Sequence, residues 1–340
     1  MHDLSSGKIL VTGGAGFIGS ALIWALNERG IDNILVTDSL GHDDQFKNLV
    51  PLRFQDYMEA DKLLDCVELR DPCLSDVTTV FHLGACSSTT EKDAVYLMEN
   101  NYEYTKTLAH WALDIGARFV YASSAATYGD GEQGMDDKLE DLHSLRPLNM
   151  YGYSKHLFDL YAKREGILDS IVGLKYFNVF GPNENHKADM RSVVHKAFDQ
   201  IQETGQVKLF KSYRPEFQDG EQKRDFLYVK DAIAMTLFLA ENNDANGLFN
   251  LGSGDSNTWL SLVGAIFKAL DKEPVIEFIE MPDYLRQKYQ YFTQADISKL
   301  REAGFDQPLR SLEAAVADTI QNYLLPQKYL GDEVKNKVEA

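Results

Sequence analysis

The chain has 340 residues, 44% hydrophobic and 25% charged, enough apolar material for one large α/β domain or two of ordinary size. A formal net charge of −18 argues against nucleic acid or an anionic membrane as a partner, yet leaves room for a local Lys/Arg cluster that binds a small anion. No apolar run approaches the ~20 residues needed to span a bilayer, and Met1–Lys8 lacks a basic, apolar signal segment, so the expectation is a cytoplasmic protein.

In chain order, the first half alternates short apolar runs with longer helical patterns. Lys8–Thr12, Asn33–Thr37, Thr78–His82 and Arg118–Ala122 read as strands bounded by glycine or polar turns. Phe17–Arg29 and Glu91–Ile115 carry helical periodicity between them. A further unit follows, with helix Tyr153–Glu165 and strand Ser170–Tyr176. Strand-helix-strand order with continuously apolar strands predicts a parallel sheet covered on both faces. After Pro182 the texture changes. Asn183–Asp189 is polar, and Lys211–Lys223 is too long and charged for a bare connector, which suggests a binding loop. Helices expected at Lys230–Asn242, Trp259–Leu270 and Leu312–Leu324 suggest a smaller mixed lobe, and Gly331–Ala340 reads as a frayed polar tail. No internal repeat is present. Cys66, Cys73 and Cys86 are too few and too irregular for a disulfide framework or a zinc site, and read as buried free thiols.

The first strand runs into Thr12-Gly13-Gly14-Ala15-Gly16-Phe17-Ile18-Gly19. Glycines at this spacing let the backbone turn sharply and approach a pyrophosphate at the positive end of the next helix. Asp38 stands nineteen residues beyond Gly19, at the end of the second strand, placed to accept hydrogen bonds from an adenosine ribose. His82-Leu83-Gly84-Ala85 closes the third strand with small residues at the sheet's carboxyl edge. Cys86, with no base supplied nearby in sequence, reads as a packed side chain and not as a nucleophile.

Tyr-x-x-x-Lys occurs three times: Tyr102/Lys106, Tyr151/Lys155 and Tyr284/Lys288. Spacing of four puts both side chains on one helical face, where an ammonium favours the tyrosinate. Such a tyrosine can remove or return an alcohol proton during hydride transfer. Only Tyr151 follows the fourth strand, whose end reads Ala122-Ser123-Ser124-Ala125-Ala126-Thr127-Tyr128-Gly129, and Ser124 can hydrogen-bond the same substrate oxygen. Tyr102/Lys106 reads as a surface or packing pair, and Tyr284/Lys288 suits a substrate-lobe role.

TGGAGFIG, HLGA, SSAATYG and YGYSK in this order resemble an extended short-chain dehydrogenase/reductase. SSAAT resembles the epimerases of that group more than the sugar 4,6-dehydratases. GACSSTTE (Gly84–Glu91), YFNVFGPNENHK (Tyr176–Lys187), QKRDFLYVKD (Gln222–Asp231), FNLGSG (Phe249–Gly254) and YFTQAD (Tyr291–Asp296) are similar to the ADP-glyceromanno-heptose 6-epimerases, from about Lys8 to Leu324. The resemblance implies a Rossmann-type, doubly wound parallel sheet (residues 8–178) and a smaller mixed α/β substrate lobe (179–330), with some segments returning to the first domain. It also implies inversion at C6 of an ADP-heptose for lipopolysaccharide inner-core synthesis, through a transient ketone and one tightly bound NAD or NADP per subunit.

By the same resemblance Tyr151 and Lys187 are the two bases, with Ser124 and Lys155 completing the catalytic set. Gly13, Gly16, Phe17, Ile18, Gly19, Asp38, Ser39, Leu83, Gly84, Ala85, Cys86, Ser87, Asn100, Lys155, Val179 and Lys187 fall to the cofactor. Ser124, Asn178, Asp189, Lys196, Phe210, Lys211, Ser212, Arg224 and Tyr289 fall to the substrate, with Arg224 near its diphosphate. A homo-oligomer, often a pentamer, belongs to the family's habits. Asp38 suits a ribose 2′-hydroxyl and repels a 2′-phosphate. Ser39, Gly41, Gln45 and Ala60 stand where some relatives carry asparagine and basic residues, which inclines the reading toward NAD. The rivals are a UDP-hexose 4-epimerase, which needs no second base in NENHK, and a non-catalytic NAD(P)-binding regulator, which would usually have lost Ser124, Tyr151 or Lys155.

Overall fold

In the computed structural model, which describes residues 1–286 and 289–332, the central sheet has seven strands: β1 (Lys8–Thr12), β2 (Ile34–Asp38), β3 (Asp56–Glu59), β4 (Val77–His82), β5 (Arg118–Ser124), β6 (Val172–Tyr176) and β7 (Gly247–Leu251). Their order is β7-β6-β5-β4-β1-β2-β3, and every neighbouring pair is parallel. The five strands expected from sequence are all present, with ends within two residues of expectation. Two were not foreseen. β3, Asp-Tyr-Met-Glu, is short, polar and partly exposed, as an edge strand can be. β7 comes from the second half of the chain and completes the far edge.

Helices α1 (Phe17–Glu28) and α2 (Ala60–Leu69) cross between strands. The third crossover, α3, is composite: Ala94–Leu97, a π-turn at Met98–Glu103, then Tyr104–Asp114. α4 (Met150–Arg164) opens on Asn149, whose side chain accepts from the Gly152 N–H at 2.8 Å. α5 (Val193–Thr204), α6 (Val229–Glu241), α7 (Trp259–Ala269) and α8 (Leu312–Asp318) follow, and α8 continues as a π-turn over Thr319–Leu324. Alternation along β1 explains its unbroken apolar run. Ile9 and Val11 join Leu22 of α1 and Met235 of α6 on one face. Leu10 joins Leu108 of α3 and Phe158 of α4 on the other. Successive strand side chains point to opposite faces, so a doubly covered strand must be apolar throughout.

The smaller lobe is built from two-stranded pairings: Asn178–Phe180 with Phe226–Tyr228, Val207–Phe210 with Ile276–Ile279, and Lys223–Arg224 with Asn257–Thr258. Among the described residues no helix is long and apolar enough to cross a membrane. Cys73 is exposed and Cys66 half-buried, so the expectation of buried thiols fails at the surface turn after α2. Lys288, the Tyr284 side chain and residues 333–340 of the expected tail lie outside the described residues.

Candidate active site

The strand order reverses direction between β1 and β4, and open α/β sheets bind ligands at the carboxyl ends of the strands flanking such a point. Gly13 sits there at φ +66°, and a Cβ added to it would meet the Gly84 Cα at 2.6 Å. A Cβ on Gly19 would strike the Gly13 carbonyl oxygen at 2.1 Å. The glycines therefore bring two strand ends and a helix start closer together than side chains permit. α1 begins without a side-chain cap or an acidic residue in its first turn, leaving its N–H groups and partial positive charge to an anion. Gly13, Gly16, Gly19, Asp38, Gly84 and Cys86 line a cavity of about 420 Å³ here, with Phe17, Ile18, Leu83, Ala85 and Ser87. The cradle fits a dinucleotide. Asp38 accepts from the Ala15 N–H at 2.9 Å and the Ser39 N–H at 2.8 Å, and burial holds its carboxyl above the usual range despite those bonds. Asp43 and Gln45 line the same cavity, and Lys187 is the one Lys or Arg among its described lining residues.

An adjoining cavity of about 440 Å³ contains Ser124, Tyr151, Lys155, Asn178, Val179 and Lys187 together. Phe17, Ile18, Leu83, Ala85, Ser87 and Lys187 line both spaces. Ser124 ends β5 and accepts from the Ala126 N–H at 3.1 Å. Burial raises the Tyr151 phenol above its ordinary pKa, while its hydrogen bond to Ser124 pulls it back. Lys155, 4% exposed, is lowered to about 8 by burial, against which Asp159 and Cys86 act to keep it charged. Ser/Tyr/Lys so arranged can bind an alcohol oxygen and move its proton.

Lys187 lines the same cavity, on a loop tied to the cofactor cradle. Glu184, 1% exposed, accepts from the Gly181 N–H at 3.0 Å and the Ser192 N–H at 2.5 Å, pinning both ends of the loop. The Asn183 amide donates to Ser20 of α1 at 2.9 Å, and the Asn48 amide donates to the carbonyls of both Ala15 and Asn183. Ala188 takes φ 44°, a left-handed value unusual for a residue with a side chain. The Lys187 ammonium lies 5.4 Å from the centre of the Phe17 ring, and burial lowers its pKa while Glu184 raises it.

Arg224, 6% exposed, lies over Trp259 and Tyr289 at 5.6 and 5.1 Å from their ring centres. Burial lowers its pKa. The Trp259 indole donates to the Tyr289 hydroxyl at 2.9 Å, and Phe210 meets Tyr289 edge-on. Arg224 donates to the carbonyls of Lys223 and Gln290, with no carboxylate among its described partners. A guanidinium fixed between aromatic faces without an anion of its own can receive phosphate oxygens.

Several expected site residues stand elsewhere. Asn100 donates to the Tyr96 carbonyl and lines neither cavity; the π-turn directs Asn101 inward instead. Asn101 is fully buried and clamps the loop after β4, accepting from the Cys86 N–H and donating to the Cys86 carbonyl. Asp189 is exposed, Lys211 pairs with Glu280 at 2.7 Å, and the Ser212 N–H is taken by Asp219. Neither these nor Lys196, Phe210, Ser39, Arg224 and Tyr289 line the two cavities. Thr89, Trp259, Gln290 and Thr293 do line the larger one, and sequence alone did not single them out for it. Tyr102/Lys106 is a packing pair: Lys106 bridges Glu103 and lies 4.8 Å from the Tyr102 ring centre.

Residues 9–252 match the NAD dependent epimerase/dehydratase family. Over 315 residues the chain is 53% identical to an ADP-L-glycero-D-manno-heptose-6-epimerase of Nitratidesulfovibrio vulgaris, covering 93% of this chain and 97% of that protein. A solved ADP-L-glycero-D-manno-heptose-6-epimerase from Helicobacter pylori superposes with a TM-score of 0.79 at 29% identity, over 95% and 98% of the two chains. A UDP-N-acetylglucosamine 4-epimerase from Methanobrevibacter ruminantium M1 also reaches 0.79, at 25% identity, over 96% and 100%. Backbone shape alone does not separate the two reactions.

Proposed function

The chain belongs to the NAD dependent epimerase/dehydratase family, and from that premise we propose that it inverts C6 of ADP-D-glycero-D-manno-heptose to give ADP-L-glycero-D-manno-heptose, for the lipopolysaccharide inner core. The 53% identity to an epimerase of that name over nearly its whole length supports the substrate. One observation carries the reading: Tyr151, from a helix, and Lys187, from a separate loop, line one cavity beside the glycine cradle. Inversion needs proton transfer on two faces of one carbon, and two groups entering from different segments meet that need without large motion of the sugar.

The bound nicotinamide supplies a hydride acceptor and donor. The remaining work falls to side chains. Tyr151 or Lys187 takes the C6 hydroxyl proton on one face, and the other group serves the opposite face as the ketone is reduced. Ser124 holds the reacting oxygen. Lys155 favours the ionised Tyr151 and the cofactor ribose. Arg224 holds the diphosphate and Tyr289 the nucleotide. Asp38 takes the adenosine ribose, and the lack of a cation at that end among the described lining residues favours NAD over NADP. Division into a cofactor domain (8–178) and a substrate lobe (179–330), a cytoplasmic location and a homo-oligomer, pentameric by resemblance, complete the proposal.

The test is incubation of the purified protein with ADP-D-glycero-D-manno-heptose and chromatographic resolution of the two epimers, with UDP-hexoses as the competing arm. Turnover of a UDP-hexose alone would transfer the protein to the 4-epimerases. Denaturing the protein and identifying the released dinucleotide decides the cofactor, and predominantly NADP would overturn the preference for NAD.

A further inference from the structure

Beneath the Ser124 turn lies an ion pair with no part in proton transfer. Asp159 of α4 is 0% exposed and Lys175 of β6 is 1% exposed, with Nζ and Oδ2 3.1 Å apart. The carboxylate accepts from the Tyr121 hydroxyl and the Ser123 hydroxyl, both at 2.8 Å. The ammonium donates to Thr127 Oγ1 at 2.6 Å and lies 4.6 Å from the centre of the Tyr128 ring. Thr127 in turn donates to the Ser124 carbonyl at 2.8 Å. The hydrogen bonds that leave the pair therefore end on residues 121–127, the segment that presents Ser124. β5 and β6 pair Ser123 with Lys175 and Ser124 with Tyr176, so the two charges grip this segment from α4 on one side and β6 on the other.

Net stability does not account for this pair, because desolvating two ions offsets most of their attraction and apolar replacements are often neutral or better. Its bonds do have a common destination. We propose that Asp159 and Lys175 are positioning residues: they fix the 121–127 turn so that Ser124 meets Tyr151, and Asp159 supplies the negative charge that faces Lys155 from one turn further along α4. Tyr151, Lys155 and Asp159 follow each other at intervals of four on one helical face. The groups around Lys155 are few. Asp159 and Tyr151 share its helix, Cys86 lies on the loop after β4, neutral buried His82 ends that strand, and Lys175 stands behind Asp159. Of these, Asp159 acts most strongly to keep Lys155 protonated.

This inference deepens the reading of the site as a Ser/Tyr/Lys epimerase, and its test is scored on whichever sugar nucleotide the wild-type holoenzyme turns over. A wrong heptose would thus fail in the wild type, apart from the variants. The double variant Asp159→Asn/Lys175→Met removes both charges without stranding either. It should keep its cofactor and a KM within about twofold, while kcat falls on the order of 10-fold or more, less than the 10²-fold that a 1 Å misplacement can cost. Loss of the Asp159 charge lowers the Lys155 pKa, so the alkaline limb of the kcat profile, where Lys155 deprotonates, should move to lower pH. Thr127→Val, which cuts only the link from Lys175 to the Ser124 carbonyl, should lower kcat without moving that limb. A folded double variant with kcat within twofold and an unmoved limb overturns the proposal. Should the double variant fail to fold, Thr127→Val decides: a fall in kcat at constant KM upholds the positioning role, and unchanged kcat overturns it.

Discussion

The two residues proposed to carry protons, Tyr151 and Lys187, are held in place on different principles. Tyr151 projects from the first turn of a 15-residue helix capped by Asn149, and the segment that presents Ser124 is hydrogen-bonded to two buried charges through Tyr121, Ser123 and Thr127. Lys187 sits in a short 3₁₀ segment beside a left-handed alanine, held mainly by Glu184, Asn183 and Asn48. Regular structure fixes Tyr151, and a few side-chain-to-backbone bonds fix Lys187. The tyrosine end should therefore yield to changes at the reacting atom, whereas the lysine end should also yield to changes well away from it.

The largest effect tests the rigid end. Tyr151→Phe removes the phenolic proton carrier while leaving the helix and cavity intact, and epimerisation should fall at least ~10²-fold with cofactor retained. Near-normal turnover, with chemistry rate-limiting, would break the assignment. Lys187→Ala tests the other end. Full epimerisation should be lost, while reduction of the bound cofactor by substrate persists, because Tyr151 still serves one face. A variant that keeps nearly full activity would indicate a single-base mechanism and erase the contrast.

A smaller effect separates scaffold from chemistry. Glu184→Gln leaves one of the two N–H groups at Gly181 and Ser192 facing an amide donor, an unsatisfied contact worth about 1–3 kcal/mol. Stopped-flow assays should show the Tyr151-side half-reaction at wild-type rate and the complete inversion slowed. Equal slowing of both halves would mean that the loop supports the whole cavity and not only Lys187.

The smallest effect is a slope. In the cofactor-free protein Lys155 titrates at about 8 in the folded state and near 10.4 when unfolded. Between those values the unfolded chain holds more protons, so this group makes stability rise with pH. Denaturant midpoints at pH 7.5 and 9.5 should show the wild type gaining on Lys155→Met as pH increases. A constant gap between the two proteins would mean that Lys155 is not held below its ordinary pKa.

The same contrast explains what could be read before any coordinates. Spacing carries information where structure is regular: the glycine run, Asp38 and the Tyr151/Lys155 pair each follow from a period or a strand end. Lys187 came only through family likeness, since no period governs a loop. Asp159 and Lys175 each fit an ordinary helix or strand, and only the fold reveals that they meet. β7 escaped notice because Asn250 interrupts its apolar run, although that asparagine is fully buried and accepts from the Tyr128 hydroxyl at 2.7 Å. Arg224, too, came only through family likeness, since arginine is by default a surface residue; its burial depends on Trp259 and Tyr289, far along the chain.

The π-turn at Met98–Glu103 bears on how the chain tolerates changes in length. A π-turn accommodates one residue more than the α-helical repeat requires. Removing one residue within it would restore the regular α-helical repeat, with the flanking turns still in phase, and would flatten the bulge that turns Asn101 inward. Asn101 would leave the Cys86 loop, and the wall of the cofactor cavity would lose its clamp with no side chain substituted. The extra residue in this crossover is thus held by what the bulge positions, the Asn101 clamp on Cys86. A single-codon deletion here should be far more damaging than one in the exposed turn between α2 and β4.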